Sequence, residues 1–155
     1  MQTDDDGHVE LRSVAGADLP VFFEHQRDPE ANAMAGFPAR DEEAFMKHWA
    51  KILPDESCVT RTIVLDGHVA GNIGSWEQDG KREVGYWIGR EHWGKGVATK
   101  ALSGLLEDVS TRPLYAHVVR HNLASIRVLE KCGFARVEDA GSGGEPAEEI
   151  VLRLA

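Results

Sequence analysis

The sequence predicts an α+β fold, a central mixed, mostly antiparallel sheet of about six to seven strands flanked by about four helices. Three observations predict it. Two Asp-Gly turns, Asp66-Gly67 and Asp79-Gly80, separate three strand-like runs. Past Gly96 the apolar period lengthens from two residues to three and four. A strand, a second helical stripe and two late strands then follow, so a meander leads into a β-α-β crossover.

Val9 to Val14 reads as the first strand. Asp18 is expected to cap a short helix through Gln26, with Pro20 in the tolerated first turn. Asp41 reads as the next cap, followed by Glu42 and Glu43 where acids are favoured. Phe45, His48, Trp49 and Ile52 then share one face, and Pro54 ends the helix. Val59 to Leu65 and Val69 to Ser75 flank Asp66-Gly67, the strongest short hairpin signal. Glu83 to Ile88 is the third strand of the meander. Val97, Ala98, Ala101, Leu102, Leu105, Leu106 and Val109 define a helix from about Gly96 to Asp108. Pro113 breaks it, and Leu114 to Val119 is a strand. Leu123 to Lys131 is the last helix, with Ser125, Val128, Leu129 and Cys132 on one stripe and Gly133 at its C-terminal stop. Phe134 to Glu138 and Glu148 to Leu154 complete the sheet around a Gly/Pro-containing loop at 140–147.

A chain of 155 residues suits one domain, 1–155, with the polar stretch 1–7 as a frayed tail. The formal net charge of −9 argues against a nucleic-acid backbone as the main partner, which would require a basic face. It suits a cationic small molecule or a basic peptide, and equally a surface that is merely soluble. No apolar run approaches the ~20 residues that span a bilayer, so no membrane partner is expected. The N-terminus lacks a signal-peptide pattern, and Cys58 and Cys132 read as reduced thiols, so the expected location is cytoplasmic. The seven histidines and two cysteines show no ligand spacing, and no metal is expected. Edge strands leave a monomer or a homodimer open.

The chemistry centres on Trp93-Gly94-Lys95-Gly96-Val97-Ala98, between a strand and a helix start. Glycines there let a ligand approach the backbone, and the helix start offers unpaired N–H groups to an anion. Gly89 and Gly94-Lys95 nearly complete a nucleotide P-loop, but Gly96 stands where a metal-binding hydroxyl belongs. Gly94-x-Gly96-x-x-Thr99 lacks the third glycine of a dinucleotide fingerprint. A plain glycine turn between strand and helix is a further reading.

The loop also resembles the coenzyme A loop of the GNAT acetyltransferase superfamily, Q/R-x-x-G-x-G/A, with Trp93 in a place where that branch of the family differs from Gln or Arg. Gly85-Tyr86-Trp87-Ile88 is similar to the strand that precedes the loop. The segment from His121-Asn122 through Ser125 to Gly133-Phe134 resembles the N-x-x-S…K-x-G-F helix of the ribosomal-protein alanine N-acetyltransferase branch. The likeness is dense from about residue 59 to 137.

The resemblance implies an acyl-CoA N-acyltransferase that moves acetyl from acetyl-CoA to a primary amine of a small molecule or a peptide N-terminus, by direct attack in a ternary complex. It implies that Trp93, Gly94, Lys95, Gly96, Val97, Ala98 and Thr99 hold the pyrophosphate. Tyr86, Trp87 and Ile88 would meet the pantetheine as a strand edge, and Asn122 and Ser125 would bind the same arm. Glu83 and His117 are rival bases, each with a structural alternative. The family often carries a tyrosine acid where this chain has Leu129, which leaves Ser125 as the nearest hydroxyl on that stripe. The missing tyrosine keeps a second reading open, an acyl-CoA-binding regulatory module without efficient turnover. The acceptor is expected to enter over the two early helices, near Phe37, Glu42 and Trp49.

Overall fold

The computed structural model describes residues 8–36, 38–137 and 149–155. The expected tail at 1–7, the loop at 140–147, Phe37, Glu138 and Glu148 lie outside the described residues.

β1 (Val9–Arg12) pairs antiparallel with β2 (Val59–Leu65), which pairs with β3 (His68–Gln78), which pairs with β4 (Lys81–Ile88). The meander follows from its two turns. Asp66 and Gly67 take φ of 51° and 86°, and Asp79 and Gly80 take 54° and 78°. Both central residues of each turn are left-handed, which matches the turn to the strand twist. β3 and β4 run longer than expected because pairing continues to the Asp79-Gly80 turn, ending at Gln78 opposite Lys81.

α4 (Val97–Asp108) crosses from β4 to β5 (Leu114–Val119), and these two strands are parallel. Their pairing covers Arg82 opposite Leu114 and Glu83 opposite Tyr115. Beyond Glu83 the two strands part, and β4 runs on to Ile88 without β5 beside it. α5 (Leu123–Lys131) leads to β6 (Ala135–Arg136), and β7 (Glu149–Leu154) closes between β5 and β6. The sheet is therefore seven-stranded, in the order β1-β2-β3-β4-β5-β7-β6.

Three helices precede β2: α1 (Leu19–Gln26), α2 (Pro29–Ala35) and α3 (Glu42–Ile52). α3 starts as expected, with the Asp41 carboxylate accepting from Ala44 N–H at 2.7 Å. Its Phe45 and Trp49 are buried with Phe22 of α1, and the Phe22 and Trp49 rings lie 5.2 Å apart. Burying three such rings is worth about 1.5–3 kcal/mol each and fixes α1 and α3 together. α4 buries Val97, Ala101, Leu102 and Leu105 in the main core, as its period requires.

Two expectations need correction. Asp18 does not cap α1. It has helical φ and ψ of −77° and −26°, and its side chain makes no cap hydrogen bond. The chain enters α1 through a 3-10 turn at Gly16–Asp18, which aims the carboxylate back at Arg12, Ala15 and Thr62. Second, the described residues form five α-helices, one more than the four read from the sequence, namely α2. Its apolar stripe is short and mostly of small residues, Ala31, Met34 and Ala35, yet its ends are well marked. Asp28 caps Glu30 N–H, Pro29 follows at the first turn, and Gly36 stops the helix at φ 66°.

Candidate active site

Two cavities meet at β4. The first, about 360 Å³, is a groove between α2, the β4–α4 connection and α5. Tyr86, Trp87, Ile88, Trp93, Gly94 and Gly96 line it, and so do Val97, Ala98, Thr99, Asn122 and Ser125. Of the residues expected to bind coenzyme, Lys95 stands apart: it is exposed in the loop and outside this lining.

The loop's conformation follows from its glycines. Gly94 and Gly96 have φ of 79° and 75°, where a side chain is strained. A Cβ at either position would meet nothing within 4 Å, so the backbone there faces open space. Gly96 is the N-cap of α4 and no side chain caps it, which leaves the helix start to present its N–H groups. Trp93 has a local role that its residue type did not advertise. Its indole Nε1–H donates to Ile88 O at 3.0 Å, folding the loop back on the end of β4.

α2 forms the wall missing from the sequence reading. Ala31, Met34 and Ala35 face the groove. Arg90, after β4, pairs with Asp28 and Glu30 at the start of α2. His121, before α5, bonds Ala33 O at 2.9 Å. The end of α2 packs so closely on β5 that a Cβ on Gly36 would lie 2.6 Å from Val119 Cγ1. The helix is thus tied to both connections that border the opened strands.

Asn122 caps α5, its Oδ1 accepting from Ser125 N–H at 3.2 Å. Ser125 Oγ in turn lies 2.6 Å from Tyr86 Oη. Burial pushes the Tyr86 phenol up to about 12, against the lowering effect of the Ser125 hydrogen bond. Leu129, at the place of the absent tyrosine, is fully buried in the main core. The hydroxyl in this region therefore comes from β4, across the groove. Cys132 lies behind α4, with its thiol 3.8 Å from Thr99 O, and packs against the core.

The second cavity, about 620 Å³, lies on the other side of Tyr86 and Trp87, beneath α1 and α3. Phe22, Phe45, Trp49 and Trp76 line it together with Gly74 and Gly85. Gly85 is required there, since a Cβ would lie 2.8 Å from Trp76 Cη2. Trp49, expected at the acceptor entrance, lines this chamber, while Glu42 is exposed at the start of α3 and outside its lining.

Glu83 and His117 are brought together but line neither cavity. Glu83 is buried, and its Oε2 lies 3.1 Å from His117 Nε2. His117 Nδ1 lies 3.5 Å from Glu149 Oε1 at the exposed edge of β7. Glu83 is opposite Trp76 in register and two residues before Gly85, so it stands just behind the chamber wall where β4 and β5 part. Among the described residues no group of three or more His, Cys, Asp or Glu could hold a metal ion. No helix among them is long and apolar enough to cross a membrane.

The groove at the glycine loop and the aromatic chamber thus share Tyr86 and Trp87 of β4. The chain belongs to the GNAT acetyltransferase family. The family described as acetyltransferase (GNAT) domain matches residues 8–135. The uncharacterized N-acetyltransferase p20 of Bacillus licheniformis is 33% identical over 139 residues, covering 81% of this chain and 78% of that protein. Among solved structures, the acetyltransferase from Agrobacterium tumefaciens str. C58 superposes with TM-score 0.78 at 23% identity, over 95% of this chain and 90% of the other. Spermidine N-acetyltransferase from Vibrio cholerae, solved with CoA and spermine, gives 0.76 at 17% identity over 94% and 92%. The protein is an acyl-CoA N-acetyltransferase by family.

Proposed function

We propose that the protein transfers an acetyl group from acetyl-CoA to a primary amine of a small molecule or peptide N-terminus, with both substrates bound together. One observation carries this reading: Tyr86 and Trp87 line both the groove and the chamber, so ligands in the two spaces would meet at β4. The groove suits the coenzyme on three counts. It has open backbone at Gly94 and Gly96, an uncapped helix start, and a strand edge released from β5 beyond Glu83. Bound there, acetyl-CoA supplies an acetyl carbonyl activated as a thioester.

The chain's own groups do the rest. The amides from Gly94 to Thr99 hold the pyrophosphate, and Lys95 adds positive charge from the exposed loop. Tyr86 to Ile88 present backbone groups to the pantetheine amides. Asn122 uses its oxygen as the cap of α5, which leaves its amide N–H groups for the same arm. An N–C bond forms as the C–S bond breaks. The amine proton passes through water to Glu83, and His117 carries it toward Glu149 and solvent. The Tyr86–Ser125 pair presents a hydroxyl to the departing sulfur. A free thiol ionises near ~8.5, well below this phenol, so Tyr86 keeps its proton and acts as a hydrogen-bond donor.

Trp93 and the Asn122-to-Phe134 segment support a place near the ribosomal-protein alanine N-acetyltransferase branch. Two free thiols suit a reducing cytoplasm. The rival reading, a binding module without turnover, draws on Leu129, and the Tyr86 hydroxyl answers it.

Thiol release with acetyl-CoA and a panel of amines tests the proposal. Release that rises with amine supports it. Coenzyme binding with no release on any amine favours the module, and no coenzyme binding sinks both. Gly96→Glu sharpens the test, because its side chain meets open space rather than protein. A folded variant that binds acetyl-CoA as well as wild type would remove the loop assignment.

A further inference from the structure

The chamber's lining says more about the acceptor than the family does. Its size, about 620 Å³, suits one drug-sized molecule. Its walls are largely aromatic, and two of the indole N–H groups are already used. Trp76 Nε1–H donates to Gln78 Oε1 at 3.2 Å, and Trp87 Nε1–H donates to His25 O at 3.2 Å. The rings therefore offer apolar area without asking for a partner.

Charge is scarce in the chamber. Among the described residues that line it, Glu77 is the one carboxylate, and Arg40 adds a cation. Burial, with Arg40 nearby, holds His48 below the usual histidine range, so it stays neutral near pH 7. A polyamine or an aminoglycoside brings several ammonium groups. Each must leave water, and an apolar wall or a like charge does not replace that hydration.

Resting on the acetyl-transfer reading above, we propose that the acceptor is a compact monoamine with an aromatic or branched aliphatic body. The body fills the space between Phe45, Trp49 and Trp76. The amine reaches Tyr86 and Trp87.

The full chain is assayed with acetyl-CoA and four acceptors: 2-phenylethylamine, isoamylamine, spermidine and kanamycin. A leucine-initiated peptide is the fifth. In parallel, tryptophan fluorescence of the CoA-loaded protein reports binding without turnover, since Trp49, Trp76 and Trp87 line the chamber. The two monoamines are expected to exceed spermidine and kanamycin by at least about tenfold in kcat/KM and to bind in the same order. Trp76→Ala should raise the monoamine KM about tenfold with CoA affinity unchanged, and Trp76→Phe should restore most of it. A preference for spermidine, kanamycin or the peptide overturns the inference. So does a protein that binds CoA yet neither binds nor acetylates the monoamines. Failure to bind CoA removes the acetyl-transfer reading itself, and this inference with it.

Discussion

Tyr86 Oη and Ser125 Oγ lie 2.6 Å apart, joining β4 to the first turn of α5 at the place where the two cavities touch. Tyr86 also lines the aromatic chamber, whereas Ser125 faces the groove alone. Removing the phenol should therefore cost more than removing the serine. Tyr86→Phe is expected to lower kcat by about tenfold to a thousandfold, the range for losing one donor to developing charge. Ser125→Ala should cost less. The phenol, at about 12, remains protonated throughout the working range, so it should produce no alkaline limb between pH 7 and 10. Steady-state rates of both variants across that range check this, and an unchanged kcat in Tyr86→Phe would remove the assignment.

Glu83 and His117 face each other at 3.1 Å where β4 and β5 part, with Glu149 on the outer side of the imidazole. A relay predicts graded effects. Glu83→Gln should lower kcat/KM at pH 7 by about a hundredfold or more. His117→Gln should cost less, because water replaces a partly exposed shuttle. If Glu83→Gln keeps the rate of wild type, Glu83 is only a structural carboxylate.

Arg90 ties the groove to α2 through Asp28 and Glu30. Arg90 and Glu30 are half or more exposed and only Asp28 is largely covered, so the tie is modest and screened by salt. Arg90→Ala is expected to weaken acetyl-CoA binding by about threefold to tenfold at low salt. The gap should narrow near 0.5 M salt, where exposed ion pairs are screened. Calorimetric titration at two salt concentrations measures it. An affinity equal to wild type at low salt would show that α2 needs no such tie to shape the groove.

What could be read from the residues alone was what is encoded locally. The Asp66-Gly67 and Asp79-Gly80 turns carry their φ requirement in two residues each. α4 and α5 carry apolar stripes, and Gly133 takes the φ of 100° that ends a helix. The β4 edge, the loop glycines and Asn122 were likewise found together at one groove. α2 is not legible because its stripe, Ala31, Met34 and Ala35, is short and mostly of small residues, although Asp28-Pro29 and Gly36 mark its ends. Pairings between distant segments were beyond reach. Tyr86 meets Ser125 across 39 positions and Glu83 meets His117 across 34, and nothing local in either residue announces the other.

Asp18 joins its near neighbour Arg12 to the distant Thr62, and this junction governs stability rather than chemistry. Both carboxylate oxygens accept from the guanidinium, at 2.8 and 2.9 Å. Oδ2 also accepts from Ala15 N–H at 2.8 Å and from the buried Thr62 hydroxyl at 2.7 Å. The Arg12 hydrogen bonds, followed by those from Ala15 and Thr62, overcome burial and hold Asp18 at about 2. An aspartate in the unfolded chain titrates near ~3.9. The folded value is depressed, so the stabilisation is full above pH ~4 and is lost as pH falls toward about 2. It amounts to about 2 kcal/mol at neutral pH and to about half of that at pH 3. Asp18→Asn should thus lower the urea midpoint strongly at pH 7 and much less at pH 3. The loss also reaches the chamber, because Asp18 stands at the head of α1, which carries Phe22 and Gln26 into its wall. Midpoints that fall equally at both pH values would mean that packing around Thr62, not the charge on Asp18, holds this corner together.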